Sequence, residues 1–240
     1  MNKPRIGIYG SVPPGTAIFD TITSILGYDP FKVAEVKPDP TISKVCGRAK
    51  TFGGHFTIYD IFTPTDYASV LQYLKTAAKN FQPFNFTFTD FVGLVRGDYQ
   101  GGSTYSSNQK TLLALHPDQN VKVNFEKIHK TITTGIQAFR QKIEPEFDKE
   151  IFRNVPGLWK LITTYGTPYV FENYSPHLSL ASALDGSDQT LDKLIAYLNK
   201  NYRDKLINQP TVFDKIYVFE EILDGQFSGY FKVTDTVPLG

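Results

Sequence analysis

The chain has 240 residues, 41% of them hydrophobic and 20% charged. That is enough to bury a core, and it excludes intrinsic disorder. Lys and Arg number 25 against 24 Asp and Glu, a formal net charge of +1, so a global basic field for duplex nucleic acid is excluded and only a local basic cleft is left open.

Cys46 is the single cysteine. It rules out a disulfide framework and a multi-Cys zinc site, and it reads as an idle buried thiol. No run approaches the ~20 apolar residues of a membrane helix. Met1–Gly10 lacks the long apolar stretch and cleavage site of a signal peptide. The expectation is a soluble, cytoplasmic chain, monomeric, with no membrane partner and no cofactor.

Arg5–Tyr9 alternates as a short strand, with Ile6 and Ile8 on one face and Gly7 and Tyr9 on the other. After Ser11-Val12-Pro13-Pro14-Gly15, Ile18, Ile22, Ile25 and Leu26 mark a helix that stops at Gly27-Tyr28-Asp29-Pro30. The Pro-punctuated stretch 32–50 reads as an irregular connection. Gly54–Phe62 is a strand, and Thr63-Pro64-Thr65-Asp66 caps a helix with the stripe Tyr67, Val70, Leu71, Leu74, Ala78 and Phe81. Phe84, Phe86 and Phe88 alternate with polar residues along a strand, and a further strand follows at 92–96. Residues 97–108 read as a loop and 110–115 as a strand closed by His116-Pro117-Asp118.

The most regular helical stripe is Phe125, Ile128, Ile132, Ile136, Phe139 and Ile143, ended or kinked at Pro145. More helix is expected over 146–165, interrupted by Pro156, then an extended piece at 168–172 and a strand at 176–182. A helix carries Leu191, Leu194, Ile195, Leu198 and Tyr202, and two strands, 212–223 and 227–233, close the chain. One order occurs twice, over 54–96 and 176–233: a strand with a His, a capped helix, then paired strands. That weak internal duplication within one domain, 1–240, points to an α+β fold with helices packed on antiparallel sheets.

The chemistry sits in those two strands. Gly54-His55-Phe56-Thr57 and Pro176-His177-Leu178-Ser179 each read His, apolar, hydroxyl. At a period of two, His and hydroxyl share one strand face, about 6.5–7 Å apart. Facing each other across a pseudo-twofold axis, two such strands place two imidazoles and two hydroxyls around one pocket. Phosphodiester cleavage needs that set: one His takes a proton from the attacking oxygen, and the other gives one to the leaving oxygen. The hydroxyls of Thr57 and Ser179 donate to the phosphoryl oxygens as charge builds. Proton transfer by a neutral and a cationic imidazole requires no metal near pH 7. His-x-Thr supplies no metal-ligand pair, and no HExxH motif or Gly-x-Ser-x-Gly elbow occurs.

These motifs resemble those of the 2H phosphoesterases, whose members carry two His-x-Thr/Ser motifs. They include RNA 2′,3′-cyclic phosphodiesterases and the bacterial enzymes called 2′-5′ RNA ligases. More narrowly, the chain resembles a bacterial branch linked to phosphonate metabolism. That likeness rests on Arg5–Tyr9, Leu26-Gly27-Tyr28-Asp29, Phe52-Gly53-Gly54-His55, the run from Tyr165 to His177 and the terminal Pro238-Leu239-Gly240. The resemblance implies a bilobal fold, with two pseudo-symmetric antiparallel sheets, outer helices and a central cleft. It implies metal-independent hydrolysis of a cyclic phosphate or a 2′-linked phosphodiester, with a small nucleotide, a sugar cyclic phosphate or an RNA end as partner. Gly54, where a bulkier residue is expected, and Ser179, where Thr is commoner, depart from the pattern.

If water attacks a 2′,3′-cyclic phosphate, His177 is the base and His55 the acid. The alternatives are a non-catalytic module that binds a nucleotide or RNA end, and a reversible 2′-5′ RNA ligase. Tyr9, Phe52, Tyr59 and Tyr174 are the candidate substrate-binding residues, as hydrogen-bond donors or base-stacking walls. Arg48 and Lys50 can offset phosphate charge, and Glu172 can orient an imidazole. His116 reads as an exposed turn residue and His129 as a boundary residue of its helix. Gly101-Gly102-Ser103 lacks the Lys and the spacing of a P-loop.

Overall fold

The computed structural model describes residues 4–95, 110–141, 156–182, 184 and 187–240. The expected loop at 97–108, the helical residues between 146 and 155, and Ile143 lie outside the described residues.

The strands are β1 (Ile6–Gly10), β2 (Tyr28–Asp29), β3 (Ala34–Glu35), β4 (Phe56–Phe62), β5 (Phe84–Phe86), β6 (Phe88–Val95), β7 (Lys110–Pro117), β8 (Leu178–Ala181), β9 (Thr211–Phe213), β10 (Lys215–Glu221) and β11 (Phe231–Pro238). The helices are α1 (Ala17–Leu26), α2 (Ala49–Phe52), α3 (Tyr67–Ala78), α4 (Lys122–Ile136), α5 (Pro156–Tyr165) and α6 (Asp188–Leu206). Among the described residues no helix is long and apolar enough to cross a membrane.

The caps explain where the helices start and stop. Thr16 accepts from the Phe19 amide, Asp66 from Ser69 and Ser187 from Thr190. Gly27 ends α1 in the left-handed conformation, its amide bonded to the Thr23 carbonyl. α4 stops seven residues short of the expected Ile143. Past Ile136 the chain tightens into a 3-10 turn, and its amides and carbonyls turn to another partner. Phe139 accepts from the Thr65 amide, and the Gln141 amide donates to Thr63.

Strand order is β11-β10-β1-β4-β8-β7-β6, antiparallel at every junction. Four strands end at β4 and three at β8. These two halves meet through a single registered pair, Phe56 opposite Leu178. The orders β4–α3–β5–β6 and β8–α6–β9–β10 match. β5 and β9 also pair with each other, Phe84 stacking on Phe213.

The sheet has two unlike faces. Ile6, Ile8, Phe56, Ile58, Leu178 and Leu180 join the apolar stripes of α1, α3, α4 and α6 in the main core. On the other face, Tyr9, Phe52, Tyr217, Phe219 and Phe231 form a separate aromatic cluster. The alternation of Ile6 and Ile8 against Tyr9 thus sorts β1 between the two.

Several segments differ from the sequence reading. Residues 171–173 form a 3-10 turn rather than an extended piece, with Phe171 at φ 55°. β11 begins at Phe231, because 222–230 fold into a turn closed by paired backbone bonds between Ile222 and Gly229–Tyr230.

His129 is no boundary residue. It is 2% exposed, and its two nitrogens join distant segments. Nδ1 donates to the Ile58 carbonyl at 2.7 Å, which leaves Nε2 to accept from the Phe171 amide at 3.1 Å. Tyr174 stacks on its ring with centroids 3.9 Å apart. One neutral imidazole therefore ties β4, which carries the first motif, to the segment that enters the second.

Burial lowers the His129 pKa to about 4. A depressed folded-state pKa means the unfolded chain binds the extra proton. The contribution is therefore intact above the ordinary value of about 6.5 and lost as pH falls toward 4. Replacing His129 by Ala strands two buried backbone groups and is expected to cost about 2–4 kcal/mol. Urea midpoints at pH 7 and pH 4.5 check this. Wild type should lose stability on acidification, and His129→Ala should be weaker at pH 7 with a shallower pH dependence.

Candidate active site

The site is built on the Phe56–Leu178 junction. Those two side chains point into the core and are fully buried. Their neighbours point the other way. Continuing the register by one residue each way sets Thr57 opposite His177 and Ser179 opposite His55. The four residues that the two motifs predict thus fall on one face of two adjacent strands. The imidazoles lie on a diagonal, for which Cα separations are about 7–8 Å, a span that a phosphate can fill. His55, Thr57, His177 and Ser179 are all half-buried.

Both imidazoles are held in the same way. His55 Nδ1 lies 3.0 Å from the Gly53 carbonyl, and His177 Nδ1 lies 2.8 Å from the Ser175 carbonyl. A carbonyl can only accept, so each Nδ1 carries the proton. The neutral ring then keeps an unprotonated Nε2. Among the described residues nothing bonds either Nε2. Burial pushes the His55 pKa down to about 4, opposed by the Gly53 carbonyl and helped by the charge of His177. His177 is also lowered, by burial first and by the charge of His116, against the Ser175 carbonyl.

Gly53 explains the first anchor. It ends α2 at φ 66°, ψ −167°, a region open to glycine alone, and a Cβ there would lie 2.6 Å from Pro30 Cδ. Gly54, the departure from the family pattern, sits against α1, where a Cβ would meet Ile22 Cγ2 at 2.5 Å.

The surroundings of the two imidazoles differ. Tyr9 meets the His55 ring edge-on at 4.6 Å, and Phe52 lies 5.1 Å away, backed by Phe231. Tyr9 lies back along its strand over Gly7, where a Cβ would strike its ring at 2.4 Å. Tyr9 and Phe52 therefore stand with His55, and both are buried packing groups of the aromatic cluster. Burial raises the Tyr9 pKa strongly, so its hydroxyl stays neutral.

Tyr59 does not share the parity of His55 and Thr57. The β1–β4 register shifts between Ile8–Tyr59 and Tyr9–Thr57, and this bulge turns Tyr59 into the main core. There its hydroxyl donates to the Tyr165 carbonyl and accepts from Gln137 Nε2. Tyr174 is likewise turned from the motif face and lies against His129.

Lys50 pairs with Glu35 at 3.6 Å and lies over the Tyr230 ring. Arg48 is exposed at the head of α2, its charge felt by Tyr9 and Glu221. Glu172 is exposed in the 3-10 turn. Cys46 is buried, and burial raises its pKa to about 11, as befits an inert thiol. Among the described residues no group of three or more His, Cys, Asp or Glu side chains could hold a metal ion.

His116 is the residue that sequence reasoning passed over. β7 runs through it to Pro117, and its ring is half-buried beside the second motif rather than exposed in a turn.

The fold has counterparts among solved structures. LigT of E. coli in complex with 3′-AMP is similar at TM-score 0.50 and 10% identity, covering 99% of each chain. Usb1 of Kluyveromyces marxianus (TM-score 0.45, 9% identity, 99% of each chain) is also similar. So is TT0787 of Thermus thermophilus (TM-score 0.46, 11% identity, 98% of this chain and 97% of that one). The likeness to LigT shows the fold, which is the mixed α+β architecture of the 2H phosphoesterases. The chain belongs to the family DUF1045, described as a protein of unknown function, whose model matches residues 105–228, just over half of the chain. The matched span includes His177 and Ser179 and leaves out His55 and Thr57. Nothing in that description speaks to phosphonate metabolism. No curated protein matches the chain.

Gly53→Ala tests the first anchor. Strain in this backbone region is expected to cost about 1–3 kcal/mol and to free His55 Nδ1. Urea unfolding and nitrogen-15 NMR of the His55 ring check both, with His177 as the unaffected control.

Proposed function

We propose that the chain is a phosphodiesterase that cleaves a cyclic phosphate or a 2′-linked phosphodiester of a nucleotide, an RNA end or a sugar, with proton transfer by two histidines. The matched pair of Nδ1 anchors carries this reading. Each strand holds its own imidazole with Nε2 uncommitted, and a hydroxyl stands opposite each ring. LigT, whose fold the chain shares, is seen with 3′-AMP bound, which supports a nucleotide-like ligand. The near-neutral formal charge of +1 favours a small nucleotide or sugar cyclic phosphate over long RNA.

In this reading His55, walled by Tyr9 and Phe52 and held neutral, is the base. This exchanges the roles assigned from sequence. A water proton passes to His55 Nε2 as the water oxygen bonds to phosphorus. The bond from phosphorus to the leaving oxygen breaks, and that oxygen takes the Nε2 proton of His177, which enters the step as the doubly protonated cation and leaves it as the neutral Nδ1–H ring. Thr57 and Ser179 donate to the non-bridging oxygens. The proton work requires no metal ion.

Phosphodiesterase assays in excess EDTA test the reading, over 2′,3′-cyclic nucleotides, a ribose cyclic phosphate and a short 2′-5′-linked RNA. His55→Ala and His177→Ala should each lose about 100-fold or more, with EDTA harmless. Binding without turnover would favour the non-catalytic module.

The lowered pKa values give a pH prediction. Activity rises as His55 loses its proton and falls as His177 loses its own. The kcat/KM profile should therefore be a bell whose maximum lies below the ordinary His value of about 6.5. A maximum at or above about pH 7 contradicts two-histidine catalysis from these lowered groups.

A further inference from the structure

The motif face carries a row of side chains that runs across the sheet. Tyr217 pairs with Tyr9, and Tyr9 with Thr57. Thr57 stands opposite His177 by the register of Phe56 and Leu178. On the far side of β8, Leu115 pairs with Leu178, so the next residue, His116, stands opposite His177. A third imidazole thus adjoins the second motif, on the side away from His55.

Its contact is with the anchor itself. His116 Nε2 lies 3.4 Å from Ser175 Oγ, a long hydrogen bond, and the carbonyl of that same Ser175 holds His177 Nδ1 at 2.8 Å. Ser175 is otherwise an exposed residue between a 3-10 turn and β8. The first anchor, Gly53, is fixed by its backbone conformation and by Pro30, and the second has no such glycine. A side-chain tether does at Ser175 what backbone geometry does at Gly53. The groups facing His116 are Asp90 across β6, His177 across β8, Lys122 at the start of α4 and the Pro117 carbonyl. Asp90 is engaged by Arg203 at 3.6 Å and by the Phe91 amide.

We infer that His116 is a positioning residue for His177, tethering the Ser175 carbonyl that fixes the tautomer of the second catalytic imidazole. The inference rests on the proposed phosphodiesterase reading for its effect on turnover, but not for its effect on the ring.

Nitrogen-15 NMR of His177 near pH 7 reads the tether without substrate. Wild type should show the Nδ1–H tautomer. His116→Ala and Ser175→Ala should each raise the Nε2–H share several-fold, and the double variant should add nothing beyond either one, since they break the same link. His116→Gln, which can still accept from the Ser175 hydroxyl, should restore the wild-type spectrum. On the substrate that wild type turns over, His116→Ala should lower kcat about tenfold with KM within about twofold, the pattern of a lost transition-state contribution. An unchanged His177 ring in both single variants overturns the inference, even if activity falls. An altered ring in a protein that turns over no phosphodiester keeps the tether and overturns the catalytic reading instead.

Discussion

Everything at the site depends on one backbone junction. The two halves of the sheet touch through Phe56 and Leu178, with both side chains sunk in the core. Because strand side chains alternate, burying that pair obliges the residues before and after it to face the opposite side. Two histidines and two hydroxyls are thereby gathered by the packing of residues that do no chemistry. A slip of β8 by one residue at this junction would turn His177 and Ser179 into the apolar core and leave His55 and Thr57 without partners across it.

The carbonyl anchors add the proton arrangement to that placement. Each imidazole donates to a backbone oxygen two residues upstream, so the neutral tautomer is set locally. The pseudo-symmetry ends at the next layer. His55 is enclosed by aromatic rings on β1 and α2, whereas His177 borders Ser175 and His116. Two chemically equal motifs in unequal surroundings are what separate acid and base roles require. The neutral imidazole of His129 joins the strand of the first motif to the approach of the second, and so holds the halves in mutual register.

Much of this was legible in the residues. The Ile6–Ile8 alternation and the stripes of α1 and α3 are short-range signals, and the structure follows them. The His-x-hydroxyl pattern is as local, and the register at Phe56–Leu178 sets its four residues on one face. The features that escaped are long-range or conformational. Tyr59 follows the strand pattern by its position, and a bulge that depends on the partner strand removes it. Tyr174 sits three residues before His177 but is claimed by a helix residue more than forty positions away. The end of α4 is set by 63–65, which no local propensity reveals. Gly53 did carry a signal: a Gly-Gly pair before the strand of the first motif marks a backbone conformation that side chains forbid.

The most direct test of the account is the protonation of the two motif imidazoles in the free protein at neutral pH, read by nitrogen-15 NMR. The account predicts that His55 and His177 are both neutral and both carry their proton on Nδ1, and that 3′-AMP perturbs both Nε2 resonances. A free protein with either ring in the Nε2–H tautomer, or Nε2 signals indifferent to the phosphate, would contradict it.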